Sequence, residues 1–432
     1  ITGYNFNTPY LLSGMYNCKP GCTAIKTEVV IRNQTGDIIY THIGATLYET
    51  VVFPVKGIYT VTLTAWCGYK KCECKFQIVV ENGGENDNPP TVTEPPTTST
   101  PTKETIDQVL KDILPPNFSG GILIAKKDSI LYEKYQGIKV NNRTAFDLAS
   151  VAKTFTAMAI LKLSEEKKIN LTDDVTKYLS NFPFTGISIK MLLNHTSGLE
   201  DYVKFMQSPE VDKSNNYSNT DLLNFIIKNK EKVKIAIAPA PFDYSNTNFA
   251  MLALVIEKIA NQSYGDYLSD KFFKPLGMND TYVFDVANAK NATPSYYKNG
   301  KAYDIKFLDF IYGDKNVYSS VKDMMKWDKA LRDGKIFSKE TLALAYTPGN
   351  KLVADQSNYG LGWRILLVPN GKKIIYHNGW WHGNRSVFIR LLDEDALIVI
   401  LSNSSFTTIS NSRKLADLFG KYKQTGRSIV NF

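Results

Sequence analysis

The sequence has few histidines and, beyond residue 74, no cysteine. The four histidines, His42, His195, His377 and His382, do not form a metal-ligand spacing with carboxylates. Neither a Gly-x-Ser-x-Gly elbow nor a glycine-rich phosphate loop occurs, which argues against an α/β-hydrolase triad and a nucleotide-binding P-loop. We therefore expect neither a metal nor another cofactor.

Long apolar runs are also missing, so we expect no transmembrane segment. The longest candidate, Met251–Ile256, stops at Glu257 and falls short of the roughly 18 residues that span a bilayer. The net charge of +9 comes without a block of basic residues, which makes nucleic acid an unexpected partner. The chain begins at Ile1 rather than Met, and we expect that a signal peptide has been removed.

The cysteines are confined to the start of the chain, at Cys18, Cys22, Cys67, Cys72 and Cys74. This clustering predicts a small disulfide-stapled module and an extracytoplasmic location, whether periplasmic, cell-surface or secreted. A zinc site is the alternative, and the irregular cysteine spacing disfavours it. Because five is an odd number, one thiol is free or pairs elsewhere, and the sequence does not give the connectivity.

The chain divides at 83–104, a segment rich in proline and threonine that predicts an extended linker. Before it, 1–82 contains short alternating strands such as Tyr59–Trp66, which predict an all-β sandwich. After it, 105–432 has strands near both ends and helices between them. This order predicts an α+β domain with an antiparallel sheet flanked by helices.

The individual elements of 105–432 follow from apolar periodicity. Helices are predicted at about Thr105–Leu114, Ser150–Glu165, Asp221–Lys230, Asn246–Ala260, Val321–Arg332 and Thr407–Tyr422. Strands are predicted at Gly120–Ala125, Ser129–Tyr135, Gly360–Leu367, Lys373–His377, Arg385–Leu391 and Ala396–Leu401.

Ser150 and Lys153 form the first candidate for catalytic chemistry. A serine hydroxyl needs a base within hydrogen-bond reach, and Lys153 returns to the helix face of Ser150 one turn later. The apolar neighbours of the pair predict a desolvated amine, and burial favours its neutral, basic form. The same spacing recurs at Ser164–Lys167, where we expect solvent exposure, so the spacing alone does not distinguish a nucleophile from a helix cap.

Three further segments follow in order: Leu192–Leu199, Tyr244-Ser245-Asn246 and His377-Asn378-Gly379. Together with Ser150-x-x-Lys153 they resemble the serine β-lactamase-like family, which includes class C β-lactamases, D-Ala-D-Ala carboxypeptidases and esterases. The resemblance spans about 105–422. In the first unit, Phe53–Leu63 resembles a strand of PKD-type immunoglobulin-like domains, which implies a spacer or a module that binds glycan, such as cell-wall peptidoglycan, or protein.

The family resemblance implies a role for each matching residue. Ser150 would be the acylated nucleophile, Lys153 the proton acceptor beside it, and Tyr244 the base that activates the deacylating water. A free tyrosine keeps its proton near neutrality, so Tyr244 needs nearby cations such as Lys153. Asn246 would bind the substrate amide, and the backbone N–H groups of Ser150 and Trp380 would form the oxyanion hole.

The third motif differs from the Lys-Thr-Gly of class C β-lactamases. His377, Asn378 and Gly379 are expected to contact substrate, but a histidine is only partly charged at neutral pH. It would hold a substrate carboxylate less firmly than lysine, so a dedicated β-lactamase is less expected. After these residues, Trp380, Trp381 and His382 form either a bulky rim or the packing of the sheet edge.

Two other matches to the motifs receive structural interpretations. Tyr217-Ser218-Asn219-Thr220 resembles the tyrosine motif, but we favour Tyr244 because it opens a long apolar helix; Tyr217 is expected in a loop before an Asn or Thr helix cap. His195 is expected to organise a turn.

The sequence thus predicts a serine hydrolase that cleaves a D-amino-acid peptide, amide or ester. A penicillin or peptidoglycan sensor without turnover, a class C-type β-lactamase and an inactive scaffold are the alternatives.

Overall fold

The computed structural model describes residues 100–137, 139–349, 357–369, 371–404, 408–420 and 422, together with strands between Tyr4 and Glu81. Contacts divide the chain into two units, 1–97 and 98–432. Among the described residues, every helix is too short or too polar to pass through a lipid bilayer.

Strands of the first unit form two sheets. Strands β1–β7 lie at Tyr4–Asn5, Pro9–Gly14, Lys26–Arg32, Ile38–Gly44, Leu47–Val52, Gly57–Cys67 and Lys70–Glu81. One sheet has the order β1-β7-β6-β3-β4, and β2 pairs with β5 in the other. The cysteine side chains, and with them the disulfide and zinc alternatives, lie outside the described part. The immunoglobulin-like identity of this unit stays a prediction.

The second unit contains strands β8–β17 and helices α1–α9. The strands lie at Gly120–Lys126, Ser129–Gln136, Phe146–Asp147, Tyr282–Val283, Val317–Ser319, Ser357–Tyr359, Arg364–Leu367, Lys373–Trp381, Asn384–Leu391 and Ala396–Ser402. The helices lie at Lys103–Ile113, Ala152–Glu165, Ile189–Leu193, Tyr202–Phe205, Asn219–Lys228, Asn246–Ala260, Tyr264–Leu268, Val321–Arg332 and Lys339–Ala345. Shorter 3-10 segments include Ala149–Val151 and Thr408–Phe419.

A seven-stranded sheet of order β13-β14-β15-β16-β17-β8-β9 is antiparallel throughout and has helices on both faces. Alternation within β8 shows why both faces are covered. Ile122 and Ile124 join the apolar cluster of α1 and Thr408–Phe419, whereas Leu123 and Ala125 join the cluster of α2 and α6. This arrangement confirms the predicted α+β class.

Helix α2 lies in the interior of the second unit. Every residue from Ala152 to Leu161 is buried, as expected of a helix that is apolar on all sides. Lys153 is the charged exception, with 0% of its surface exposed. The fold therefore places an amine in the core at the start of this helix.

Three predicted elements differ in kind or by more than two residues at one end from the observed ones. Of the predicted Gly360–Leu367 strand only Arg364–Leu367 is a strand, β14; its first half is the turn that joins β13 to β14, in which Gly362 has φ 78° and approaches α2 closely. The Lys373–His377 strand continues to Trp381, because β16 pairs with it along that length. The last predicted helix is a 3-10 segment, Thr408–Phe419.

Candidate active site

A tight turn presents Ser150 between β10 and α2. Ala149 has φ 45°, a left-handed conformation that costs a non-glycine residue free energy. Its N–H donates to Asp147 Oδ1 at 2.8 Å, which fixes the turn. Burial raises the pKa of Asp147 to about 6, although this hydrogen bond and the charge of Lys315 act in the opposite direction. Ser150 itself is partly exposed.

Lys153 Nζ contacts three oxygen atoms. They are Ser150 Oγ at 3.1 Å, Asn246 Oδ1 at 2.7 Å and the backbone oxygen of Asp314 at 2.8 Å. The two carbonyl oxygens can only accept, whereas the hydroxyl of Ser150 can also donate. A neutral amine therefore keeps both carbonyl bonds with its two N–H groups and turns its lone pair toward the Ser150 hydroxyl. This geometry suits proton transfer from serine to lysine.

Asn246 bridges Lys153 and a buried carboxylate. Its Nδ2 donates to Asp201 Oδ2 at 2.8 Å, which orients Oδ1 toward Lys153. Burial is the main cause of the raised pKa of Asp201, and Asp314 adds to it. Asn246 thus holds the amine as well as lying where the family resemblance places a substrate contact.

Tyr244 lies between Lys153 and Arg364. The distance from the centre of its ring is 5.0 Å to Lys153 Nζ and 5.3 Å to the guanidinium carbon of Arg364. The Arg364 guanidinium therefore places positive charge beside the Tyr244 phenol. Arg364 belongs to no motif, and only the pairing of β14 with β15 brings it to this place.

His195 holds the residues on either side of Tyr244. Its carbonyl accepts from the N–H of Asp243 at 3.0 Å, and its Nδ1 accepts from the N–H of Ser245 at 3.1 Å. The His195 ring packs 4.3 Å from the Tyr244 ring, between centroids. Burial lowers the pKa of His195 well below its ordinary value, so the ring is neutral. These contacts agree with the expected role of His195 in a turn.

The competing motif matches lie elsewhere. The Tyr217 hydroxyl donates to the backbone oxygen of Asp212 at 3.2 Å, and its ring packs on Phe307. The helix that follows is capped by Ser218 in a capping box, not by Asn or Thr as expected. Lys167 is exposed. The structure therefore brings together Ser150, Lys153, Tyr244 and Asn246 and leaves these alternatives outside.

His377 is placed differently from the expectation. Its side chain is 0% exposed; Nδ1 donates to the backbone oxygen of Asn378 at 2.7 Å, and Nε2 contacts the Tyr359 hydroxyl at 2.9 Å. Burial first, and then the charges of Arg364 and Lys153, lower its pKa well below the ordinary value. A neutral ring with both nitrogens occupied supports Tyr359 and β15 and leaves no free donor for a substrate carboxylate.

Gly379 lies where β15 passes the nucleophile turn. A Cβ at this position would lie 2.2 Å from the backbone oxygen of Leu148, so the close approach requires glycine. On this side β14 pairs with β15 only as far as Tyr376. The edge that carries Asn378 and Trp380 therefore faces the turn of Ser150, where the oxyanion hole is expected.

The three residues after Gly379 divide between the two expected roles. Trp380 is 62% exposed and forms a rim. The indole N–H of Trp381 donates to Asp309 Oδ1 at 2.9 Å, and His382 Nε2 contacts the same atom at 2.8 Å, so both residues pack inward.

Within the described residues, no group of three or more His, Cys, Asp or Glu side chains could hold a metal ion.

Comparison with known proteins gives one family. The model of the family described as Beta-lactamase matches residues 117–418. Penicillin-binding protein 4* of Bacillus subtilis strain 168 is 30% identical over 318 residues, which cover 67% of this chain and 69% of that protein.

Solved structures share the fold. An octameric penicillin-binding protein homologue from Pyrococcus abyssi has a TM-score of 0.61 and 27% identity, covering 74% of this chain and 76% of that one. D-amino acid amidase from Ochrobactrum anthropi SV3 has a TM-score of 0.61 and 19% identity, covering 73% of this chain and 96% of that one. At 19% identity the likeness concerns the fold alone.

Proposed function

The chain belongs to the beta-lactamase family of serine hydrolases, and we propose that it hydrolyses a D-amino-acid peptide, amide or ester through an acyl-enzyme on Ser150. The observation that carries this proposal is the contact sphere of Lys153. Two fixed carbonyl acceptors leave the third position of the buried amine for the Ser150 hydroxyl, 3.1 Å away.

In the acylation step, Ser150 Oγ attacks the substrate carbonyl carbon while its proton passes to the neutral amine of Lys153. The resulting oxyanion accepts hydrogen bonds from the backbone N–H groups of Ser150 and Trp380, and each such donor typically lowers the barrier by about 3–4 kcal/mol. The C–N or C–O bond then breaks, and the proton held by Lys153 goes to the leaving group.

In the deacylation step, the Tyr244 oxygen takes a proton from water as the water oxygen attacks the acyl carbon. The ester bond to Ser150 breaks, and Ser150 Oγ regains a proton from Tyr244. Arg364 stabilises the charge on the phenol oxygen during this exchange, since its guanidinium carbon lies 5.3 Å from the ring centre.

The neutral, buried His377 favours this function over a class C-type β-lactamase, because it offers no cation for a substrate carboxylate. The names of the relatives, penicillin-binding proteins and a D-amino acid amidase, agree with a D-amino-acid substrate. A penicillin or peptidoglycan sensor without turnover is the second candidate, since the same geometry would form its stable acyl-enzyme.

The deciding experiment incubates the protein with D-alanine and L-alanine p-nitroanilides, D-Ala-D-Ala peptides, short-chain esters and β-lactams. We expect product release from D-configured substrates by the wild type and the Ser164→Ala control, and none by Ser150→Ala. Acylation with no product over many enzyme equivalents would instead indicate the sensor, and rapid β-lactam turnover the β-lactamase.

The proposal also covers the role of the first unit and the cellular location of the protein. Residues 1–82 would be a PKD-type, immunoglobulin-like module joined by the linker 83–104, acting as a spacer or binding peptidoglycan. The cysteine clustering in this module supports an extracytoplasmic location. A pull-down of residues 1–82 on insoluble peptidoglycan tests the glycan role.

A further inference from the structure

A cavity of about 340 Å³ lies beside the nucleophile turn. Its wall includes Asp147, Asp309, Tyr318, Trp381, His382 and Asn384. Asp147 precedes Ser150 by three positions, and Trp381 directly follows Trp380. The two segments expected to form the oxyanion hole therefore also form walls of this cavity, which puts it within reach of a group attached near the reacting carbonyl.

The cavity contains a buried acceptor that lacks a donor. Asn384 is 3% exposed, and within the described part of the chain its Oδ1 has no hydrogen-bond partner. The carboxylate of Asp147, 2% exposed, lines the same cavity and accepts from the N–H of Ala149. Leaving a buried acceptor unpaired costs free energy, so a donor group from a ligand would be stabilised here.

Two buried carboxylates, Asp147 and Asp309, line the cavity. Asp147, Asp309 and Asp314 are all at least nine-tenths buried, and Lys315 is the buried lysine whose charge acts on all three. Despite Lys315, burial raises the pKa of Asp147 to about 6. An additional cation in the cavity would stabilise the ionised form of this carboxylate.

The other charged residues that the structure describes in the wall of the cavity do not donate to Asn384 Oδ1. Asp309 Oδ1 is already bound by Trp381 and by His382. Lys290 and Asp304 also line the cavity, but both are exposed and have opposite charges. Among the buried acceptors of the lining, all within the described residues, Asn384 Oδ1 lacks a donor, and the carboxylate of Asp147 accepts from backbone N–H groups only.

Building on the acyl-enzyme function proposed above, we propose that this cavity is a subsite for a protonated primary amine on the acyl part of the substrate. An ammonium group offers three donors and one positive charge, which match an unpaired amide oxygen and a buried carboxylate. An N-acylated amine has no charge and a single donor. The preferred substrates are therefore amides, peptides or esters of D-amino acids whose amine is free.

The test compares kcat/KM for D-alanine p-nitroanilide and N-acetyl-D-alanine p-nitroanilide, with p-nitrophenyl acetate as an amine-free substrate. We expect the wild type to prefer the free amine by roughly tenfold to hundredfold, as for a charged donor meeting buried acceptors. Asn384→Leu should lower this ratio about tenfold, whereas Asn384→Asp should keep or raise it. A ratio measured in one preparation does not depend on the folded fraction.

The outcomes separate the subsite from the function. If Ser150 is not acylated and p-nitrophenyl acetate is not hydrolysed, the acyl-enzyme function fails. If the acetate is hydrolysed but the wild-type ratio is near one, or Asn384→Leu leaves the ratio unchanged, the subsite is refuted. Should neither anilide be cleaved, D-alanine amide and N-acetyl-D-alanine amide are compared as inhibitors of acetate hydrolysis. The ratio of their inhibition constants then replaces the ratio of kcat/KM values, with the same expectations for the wild type and Asn384→Leu.

Discussion

Asp147, which fixes the nucleophile turn, should make stability depend on pH in a specific direction. Burial raises its pKa from the ordinary 3.8 to about 6. Between these pH values the folded chain holds the Asp147 proton more tightly than the unfolded chain does. The protonated carboxyl therefore contributes to the free energy of unfolding below pH 3.8, and this contribution is lost as the pH rises through 6. At about 1.4 kcal/mol per pKa unit, the loss is about 3 kcal/mol.

Asp147→Asn removes this titration while an amide oxygen can still accept from the N–H of Ala149. The difference in unfolding free energy, variant minus wild type, should therefore rise by about 2 kcal/mol from pH 4 to pH 7, since part of the loss already occurs below pH 4. Urea titrations followed by the fluorescence of the buried Trp327 and Trp363 measure it. A difference that stays constant or falls with pH would show that the Asp147 carboxyl does not titrate in this way.

Glu165 supplies a control of opposite sign. Burial alone would raise its pKa, but hydrogen bonds from Thr341 and Ser338 lower it to about 2. Its contribution is present above pH 4.5 and lost as pH falls toward 2. Glu165→Gln should therefore be most destabilising at neutral pH and progressively less so in acid.

Three further changes test the site. Lys153→Met should slow acylation of Ser150 by at least about a hundredfold, the range of a lost general base, in stopped-flow measurements with p-nitrophenyl acetate; a retained rate would exclude Lys153 as the base. Arg364→Gln should slow deacylation, measured as release of the acyl group from pre-formed acyl-enzyme, by removing a cation 5.3 Å from the Tyr244 ring, and Arg364→Lys should restore the rate; an unchanged deacylation rate in Arg364→Gln would contradict this role. Gly379→Ala places a Cβ 2.2 Å from Leu148 O, so the melting temperature and activity should both fall, whereas wild-type values would show that the strand can move.

The apolar periodicity of the sequence alone is sufficient to predict the long helices of the second unit. Asn246–Ala260 was predicted with its observed bounds, and Ser150–Glu165 differs only by the 3-10 turn that precedes α2. Such segments have few alternative ways to bury their apolar side chains. The α+β class followed from their order along the chain.

Features that depend on pairing between distant segments could not be predicted. Arg364 reaches Tyr244 only because β14 pairs with β15. His377 is buried and contacts Tyr359 of β13, and the sequence does not indicate that β13 and β15 come together. The Asp314 carbonyl meets Lys153 through a contact for which no sequence spacing gives a signal.

Mapping of a covalent label shows whether Ser150 is the acylated nucleophile. The protein is treated with a fluorophosphonate, digested, and its peptides sequenced by mass spectrometry, alongside Ser150→Ala and Ser164→Ala. We predict one modification per wild-type chain, located on Ser150, retained in Ser164→Ala and absent from Ser150→Ala. A label on another serine, or labelling that persists in Ser150→Ala, would contradict the account.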